Sequence, residues 1–257
     1  MELRVIGCHG GETPKHRTSA FVVDDRIAID AGSLTSGLEL KAQAALDAVL
    51  ISHPHLDHIR DLATVADNRN QMGATTLPIV GTRQTIAVLK KHFFNDLVWP
   101  DFSKIPTAHR PAIRYVAVAP EKPVIIAGYE VTAIPVHHTI ECCAFTIRGD
   151  GASLAYSGDT GPTDRLWRVL NETKALKALL MEVSFPNDQA RLARASGHHT
   201  PQTLALDLKK LARPLAKELP TLLYHIKPNF QAKVERECAG LRGCNLTVCA
   251  LGDHFIL

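Results

Sequence analysis

Four side chains able to ligate a metal fall within the six positions His53-Pro54-His55-Leu56-Asp57-His58. They follow a short aliphatic run, Ala48 to Ser52, and precede a stretch carrying Leu62, Val65 and Ala66 at helical spacing. The segment is therefore expected to run strand, ligand-bearing loop, helix, with His58 near the helix start. A single histidine is ordinarily surface or core filler. Three imidazoles and a carboxylate in one short loop instead point to a metal site. His53 and His55 can serve one ion from the same loop. Asp57 and His58 are adjacent and project differently, so two ions sharing the loop is the simpler arrangement. Each ion then needs ligands from elsewhere and keeps a position for water. Such a pair activates water and neutralises phosphate charge.

The chain of 257 residues is long enough to bury a sizeable core. With 46% hydrophobic and 21% charged residues its composition is that of a globular enzyme. The 29 basic and 26 acidic residues leave a net charge of +3, with no Lys/Arg run, which argues against a polymeric nucleic acid partner. No stretch approaches the ~20 apolar residues of a membrane span, and Met1-Glu2-Leu3-Arg4 does not open a signal peptide. The six cysteines lack Cys-x-x-Cys spacing and read as buried or free thiols. A cytoplasmic protein is expected, folded as one domain over residues 1–257 with no linker or internal repeat.

Further candidate ligands stand just past strand-like runs. Val131 to Val136 leads to His137-His138, and Ser153 to Tyr156 leads to Ser157-Gly158-Asp159-Thr160-Gly161. Leu222 to Tyr224 leads to His225, and Ala178 to Val183 carries Glu182. Gly149-Asp150-Gly151 marks a hairpin. Thr200 is expected to cap a helix that starts at Pro201. Strand groups separated by helices, with ligands past strand ends, predict two β-layers with outer helices and a site along one edge. The ring-rich stretch from Phe93 to Phe102 reads either as a loop anchored on the core or as an apolar wall over the site.

The string His53-Pro54-His55-Leu56-Asp57-His58-Ile59 resembles the signature of the metallo-β-lactamase superfamily, and within it the class II cyclic-nucleotide phosphodiesterases. Asp30-Ala31-Gly32, Phe94-Asn95-Asp96 with Trp99-Pro100, Ser157 to Gly161, Glu182 to Asn187, Gly197-His198-His199-Thr200-Pro201 and His225-Ile226-Lys227-Pro228 are similar to further blocks of that family. The resemblance spans nearly the whole chain. It implies the α+β, four-layer αββα sandwich of the metallo-β-lactamase fold. It also implies that one metal takes His53, His55 and a histidine of the 137/138 pair, with His138 favoured because it stands directly before Thr139. Asp57, His58 and His225 would take the second metal, and Asp159 would bridge the two. Glu182 is read as supporting a ligand histidine.

Catalysis is expected to involve Asp57 and a proton donor at His198, with His199 as the alternative. The resemblance implies two divalent ions, zinc first with manganese or iron as alternatives, and a small-molecule nucleotide substrate. Hydrolysis of a 3′,5′-cyclic nucleotide, cAMP above others, to the 5′-monophosphate is the leading expectation, and a homodimer is implied by analogy. A tRNA 3′-processing nuclease and a non-catalytic metal-binding protein are the alternatives.

Overall fold

The computed structural model describes the backbone of residues 1–257 and all side chains except those of Arg213, Pro214 and Ala216. Two seven-stranded sheets form the centre. The first runs, edge to edge, His254–Ile256, Glu2–Gly7, Ala20–Val23, Ile27–Ile29, Ala48–Leu50, Leu77–Thr82 and Ile113–Val118. The second runs Asn245–Val248, Pro220–Tyr224, Leu176–Glu182, Ala152–Tyr156, Cys142–Gly149, Tyr129–Val136 and Val124–Ile126. The first and last strands of the chain pair with each other at one edge, Leu3 opposite Phe255.

Three apolar clusters make the layering explicit. Val5, Phe21, Ile29 and Leu50 of the first sheet meet Val131, Phe145, Tyr156 and Tyr224 of the second between the sheets. The opposite face of the first sheet buries Val22, Val49 and Ile79 against Leu62 and Val65 of the helix Leu62–Gln71 and Ile86 of the helix Arg83–Val88. The outer face of the second sheet buries Leu179 and Leu223 against Trp167, Leu204 and Val234 of three further helices. This is the αββα sandwich. Strands covered on both faces are mostly apolar, and Ala48–Leu50 and Ala152–Tyr156 are fully buried, with the polar Ser153 donating to the Lys174 carbonyl. Among the described residues no helix is long and apolar enough to cross a membrane.

Local rules account for the turns. Asp150 and Gly151 both take positive φ (49° and 76°), giving the two-residue hairpin between Cys142–Gly149 and Ala152–Tyr156. Thr200 caps the helix Pro201–Leu208 in a reciprocal box with Thr203, with proline in the first turn. The helix after the ligand loop is broken, in contrast to the sequence pattern. A single turn, Leu56–Ile59, carries Asp57 and His58, and the longer helix Leu62–Gln71 follows. Ala31 N donates to the His58 carbonyl at 2.7 Å and Asp61 N to the Ala31 carbonyl at 2.8 Å, so the chain bends around Ala31 between the two.

The ring-rich stretch is an anchored loop. Phe93, Phe94 and Phe102 are buried in the helix-side core of the first sheet, while Leu97 is 91% exposed. Truncating the anchor, Phe94→Ala, is expected to cost ~3–5 kcal/mol. Leu97→Asp is expected to stay within ~0.5 kcal/mol. Urea unfolding of the two variants checks the contrast.

Candidate metal centre

The sheet topology gathers the site. Ile27–Ile29, Ala48–Leu50 and Leu77–Thr82 run parallel, so Asp30 and the His53 loop emerge at one edge. In the second sheet Ala152–Tyr156, Leu176–Glu182 and Pro220–Tyr224 also run parallel. Tyr129–Val136 shares their direction through two antiparallel pairings. His138, Asp159, Glu182 and His225 therefore leave the second sheet on a common edge. The two edges are joined where Cys143 N donates to the Ser52 carbonyl at 3.1 Å.

The donors fall into two groups. His53, His55 and His138 form one, and Asp57, His58, Asp159 and His225 the other. In the first, His53 Nε2 lies 3.0 Å from His55 Nδ1, which lies 3.3 Å from His138 Nε2. In the second, Asp159 Oδ2 lies 3.2 Å from His58 Nε2 and 3.3 Å from His225 Nε2, and it is also 3.7 Å from His53 Nε2. Asp57 Oδ2 is 3.3 Å from His225 Nε2. Asp159 thus stands between the groups. His138 is half-buried against the cluster, whereas the neighbouring His137 is exposed.

Each ring is turned by a specific acceptor. His58 Nδ1 donates to Asp30 Oδ2 at 2.7 Å. His53 Nδ1 is 3.0 Å from Ser52 Oγ, which itself donates to Asp30 Oδ2 at 2.8 Å. His225 Nδ1 is 2.9 Å from Ser184 Oγ, which donates to Glu182 Oε2 at 3.0 Å. His138 Nδ1 donates to the Gly197 carbonyl at 3.0 Å. With Nδ1 occupied, these four rings present Nε2 lone pairs inward, and only His55 presents Nδ1. Two buried carboxylates, Asp30 and Glu182, therefore orient the ligand rings from behind, the arrangement that fixes tautomer and basicity at metal sites.

Backbone strain serves the same placement. His225 sits at φ 68° and Asp30 at φ 55°, left-handed conformations uncommon for residues with a Cβ. Gly197, at φ 68°, is required for a second reason: a Cβ there would stand 3.0 Å from both Cα and Nδ1 of His138.

The electrostatics match a cation site. Burial pushes the His53 imidazole well below its usual range and lowers those of His55, His138 and His225, favouring the neutral ligand form. For His58, burial is outweighed by Asp159 and Asp30, which raise its pKa. Burial also opposes ionisation of Asp159 and Asp57, but the surrounding imidazoles, His225 and His58 foremost, hold both carboxyls below the usual range. Imidazole lone pairs 3.0–3.4 Å apart cannot satisfy one another. These spacings are close to the edge of about 3.3 Å that four ligands at Zn–N distances define around one ion. Asp159 Oδ1 is buried without a hydrogen-bond partner among the described residues, a cost that an ion would remove. The residues fit a dinuclear metal site.

His198 and His199 are separated by the structure. The His198 ring stacks on His225, 5.2 Å between centroids, and its Nδ1 faces Glu182 Oε1 at 3.1 Å. Its donor atom converges with those of His138 and Asp159. His199 is fully buried, with Nδ1 3.1 Å from Thr203 Oγ1 and Nε2 3.7 Å from Asp207 Oδ2, so it supports the following helix. Glu182 thus supports His198 directly and the ligand-type His225 only through Ser184. Burial raises the Glu182 carboxyl to about 7.

Residues 26–226 match the model of the beta-lactamase superfamily domain. The chain is 30% identical to a protein of Yersinia pestis named "Probable 3′,5′-cyclic-nucleotide phosphodiesterase", over 90% of this chain and 79% of that one. It is 26% identical to a 3′,5′-cyclic-nucleotide phosphodiesterase of Aliivibrio fischeri, over 86% and 80%. The solved structure of unliganded yeast PDE1 superposes with a TM-score of 0.82 at 21% identity, over 98% of each chain, a likeness of fold. The chain belongs to the beta-lactamase superfamily and, within it, to the class II cyclic-nucleotide phosphodiesterase family.

The sequence pattern left out Ser184 and did not assign Asp30 a role. Asp30 has a visible signal, an acid closing a strand immediately before Ala31-Gly32. Asp30→Asn should cost ~1.5–3 kcal/mol, because hydrogen bonds to a charged acceptor carry that weight. Tyr156→Phe, which removes the hydroxyl that donates to Asp30, should couple to it non-additively in a double-mutant cycle read by urea unfolding.

Proposed function

We propose that the chain is a dinuclear metal-dependent phosphodiesterase that hydrolyses 3′,5′-cyclic nucleotides, cAMP first among them, to 5′-monophosphates. It acts as one hydrolase domain over residues 1–257. The observation that carries this reading is two adjacent donor groups with Asp159 standing between them at one sheet edge, and a third imidazole system, His198–Glu182, beside them. The names of the relatives support the substrate class.

His53, His55 and His138 would hold one ion and Asp57, His58 and His225 the other, with Asp159 serving both. Zinc suits the imidazole-rich set, and the carboxylates admit manganese or iron. When bound, two such ions supply an activated water at neutral pH and neutralise the phosphate charge. Asp57 is the partly exposed carboxylate of the cluster, at 29%, and its outer oxygen can accept a hydrogen bond that aligns the attacking water. His198 holds a proton for the departing 3′ oxygen. Glu182 accepts from Nδ1, which fixes the ring and stabilises the imidazolium, as a carboxylate does behind a catalytic histidine. Among the described residues Nε2 of His198 has no hydrogen-bond partner within the chain, so it is the nitrogen free to transfer the proton. The near-balanced net charge favours a small nucleotide over a polyanion such as tRNA.

Purified protein supplied with zinc or manganese should convert cAMP to 5′-AMP, followed by chromatography across a panel of cyclic nucleotides and phosphodiesters. Intact cAMP and cGMP throughout would contradict the proposal. His198→Gln should lower kcat by roughly 10²–10⁴-fold with metal content retained. Asp159→Asn should lose bound metal, measured by elemental analysis after desalting.

A further inference from the structure

Lysine side chains ordinarily carry their charge out into water. Every lysine of the chain is exposed except Lys227, which is half-buried. It stands two residues past His225 and runs alongside that ring. Its backbone N donates at 3.2 Å to the carbonyl of Ser184, whose hydroxyl lies 2.9 Å from His225 Nδ1 and 3.2 Å from His198 Nδ1. On the other side Gly10 N donates to the Ile226 carbonyl at 3.0 Å. A Cβ on Gly10 would stand 3.0 Å from both Lys227 Cδ and His225 Nδ1. The bare backbone at Gly10 therefore leaves the lysine stem room beside the imidazole.

The ammonium has no counter-charge of its own. Exposed Lys104, Lys210 and Lys233 each pair with an aspartate, whereas Lys227 pairs with no carboxylate among the described residues. The acids of the site are engaged by imidazoles instead: Asp57 and Asp159 face His225, and Glu182 faces His198. The lysine charge nevertheless reaches the site. Burial foremost lowers the pKa of His198 and His225, and the charge of Lys227 lowers both further. The His198 ring stacks on His225, so the ammonium stands beside both the proposed proton donor and a donor of the second group. A partly desolvated cation without a partner is costly. A compact charge with three donors suits a phosphate oxygen.

We propose that Lys227 is a phosphate-binding residue of the active site, its ammonium donating to a non-bridging oxygen of the diester on the His198 side of the metal centre. The inference rests on the phosphodiesterase reading above and holds whichever nucleoside the diester carries. A fixed cation there counters charge that builds on the phosphoryl oxygens as water attacks, and it aligns the 3′ oxygen with His198.

The test uses desalted, metal-loaded protein and two variants, Lys227→Met, which keeps the stem and removes the charge, and Lys227→Arg. Three quantities are read: metal content, the Kd for inorganic phosphate by calorimetry, and kcat/KM for cAMP and for bis(p-nitrophenyl) phosphate. The Met variant is expected to keep its metal and its urea midpoint. Its phosphate Kd should rise about tenfold or more, the weight of a hydrogen bond between charged groups, and kcat/KM should fall by a similar factor on both diesters. The Arg variant should recover most of both losses. Phosphate binding and turnover unchanged in Lys227→Met would overturn the proposal. Metal loss in that variant would make Lys227 a support for His225 and overturn it equally. If wild type cleaves bis(p-nitrophenyl) phosphate but no cyclic nucleotide, the cyclic-nucleotide reading fails alone, and the phosphate Kd and the synthetic diester still decide the role of Lys227.

Discussion

The carboxylate of Asp30 accepts hydrogen bonds from the His58 ring, from the Tyr156 hydroxyl and from the backbone and hydroxyl of Ser52. These partners belong to the helical turn of the ligand loop, to the opposite sheet and to the strand end that delivers His53. One buried acid therefore sets the distance between sheets, the orientation of two ligand rings and the register of the loop. Beneath it Phe21, Tyr156 and Tyr224 pack ring against ring, with Tyr156 and Tyr224 stacked at 5.1 Å. The Tyr224 hydroxyl donates to the Gly158 carbonyl, which places Asp159. The floor of the site is thus an aromatic and carboxylate layer with no ligand role of its own.

Glu182 is the counterpart of Asp30 on the second sheet. Asp30 orients His58 directly and His53 through Ser52; Glu182 orients His198 directly and His225 through Ser184. Such pairs of buried carboxylate and hydroxyl keep imidazoles aimed, which an isolated histidine cluster would not achieve. Packing so many acceptor lone pairs together is unfavourable in an empty apolar interior. A divalent cation reverses the sign of that interaction, so folding and metal binding favour the same arrangement.

The local part of this design is legible in the sequence. His53 to His58 announces the loop, Gly149-Asp150-Gly151 its hairpin, and Thr200-Pro201 its helix start, because each depends on neighbours in the chain. The gathering of His138, Asp159 and His225 at one edge follows from strand ends. Other features depend on contacts between distant segments and leave little local trace. Ser184 links His225 to Glu182 across 41 positions, and Tyr156 reaches Asp30 across 126. The resemblance favours His138 over His137 and His198 over His199, but no local pattern shows which side chain faces the cluster. Adjacent residues project in different directions, and only the packing of Gly197 and of the helix Pro201–Leu208 shows which way. The ring-rich stretch was equally ambiguous: buried Phe94 beside exposed Leu97 cannot be told from an active-site wall by composition.

Water attack at phosphorus with departure of the 3′ oxygen is the central claim. It is tested most directly by letting the metal-loaded protein hydrolyse cAMP in ¹⁸O-water and weighing the product. The account predicts 5′-AMP carrying one ¹⁸O in its phosphate. A 3′-AMP product, or 5′-AMP whose phosphate holds no label, would contradict it.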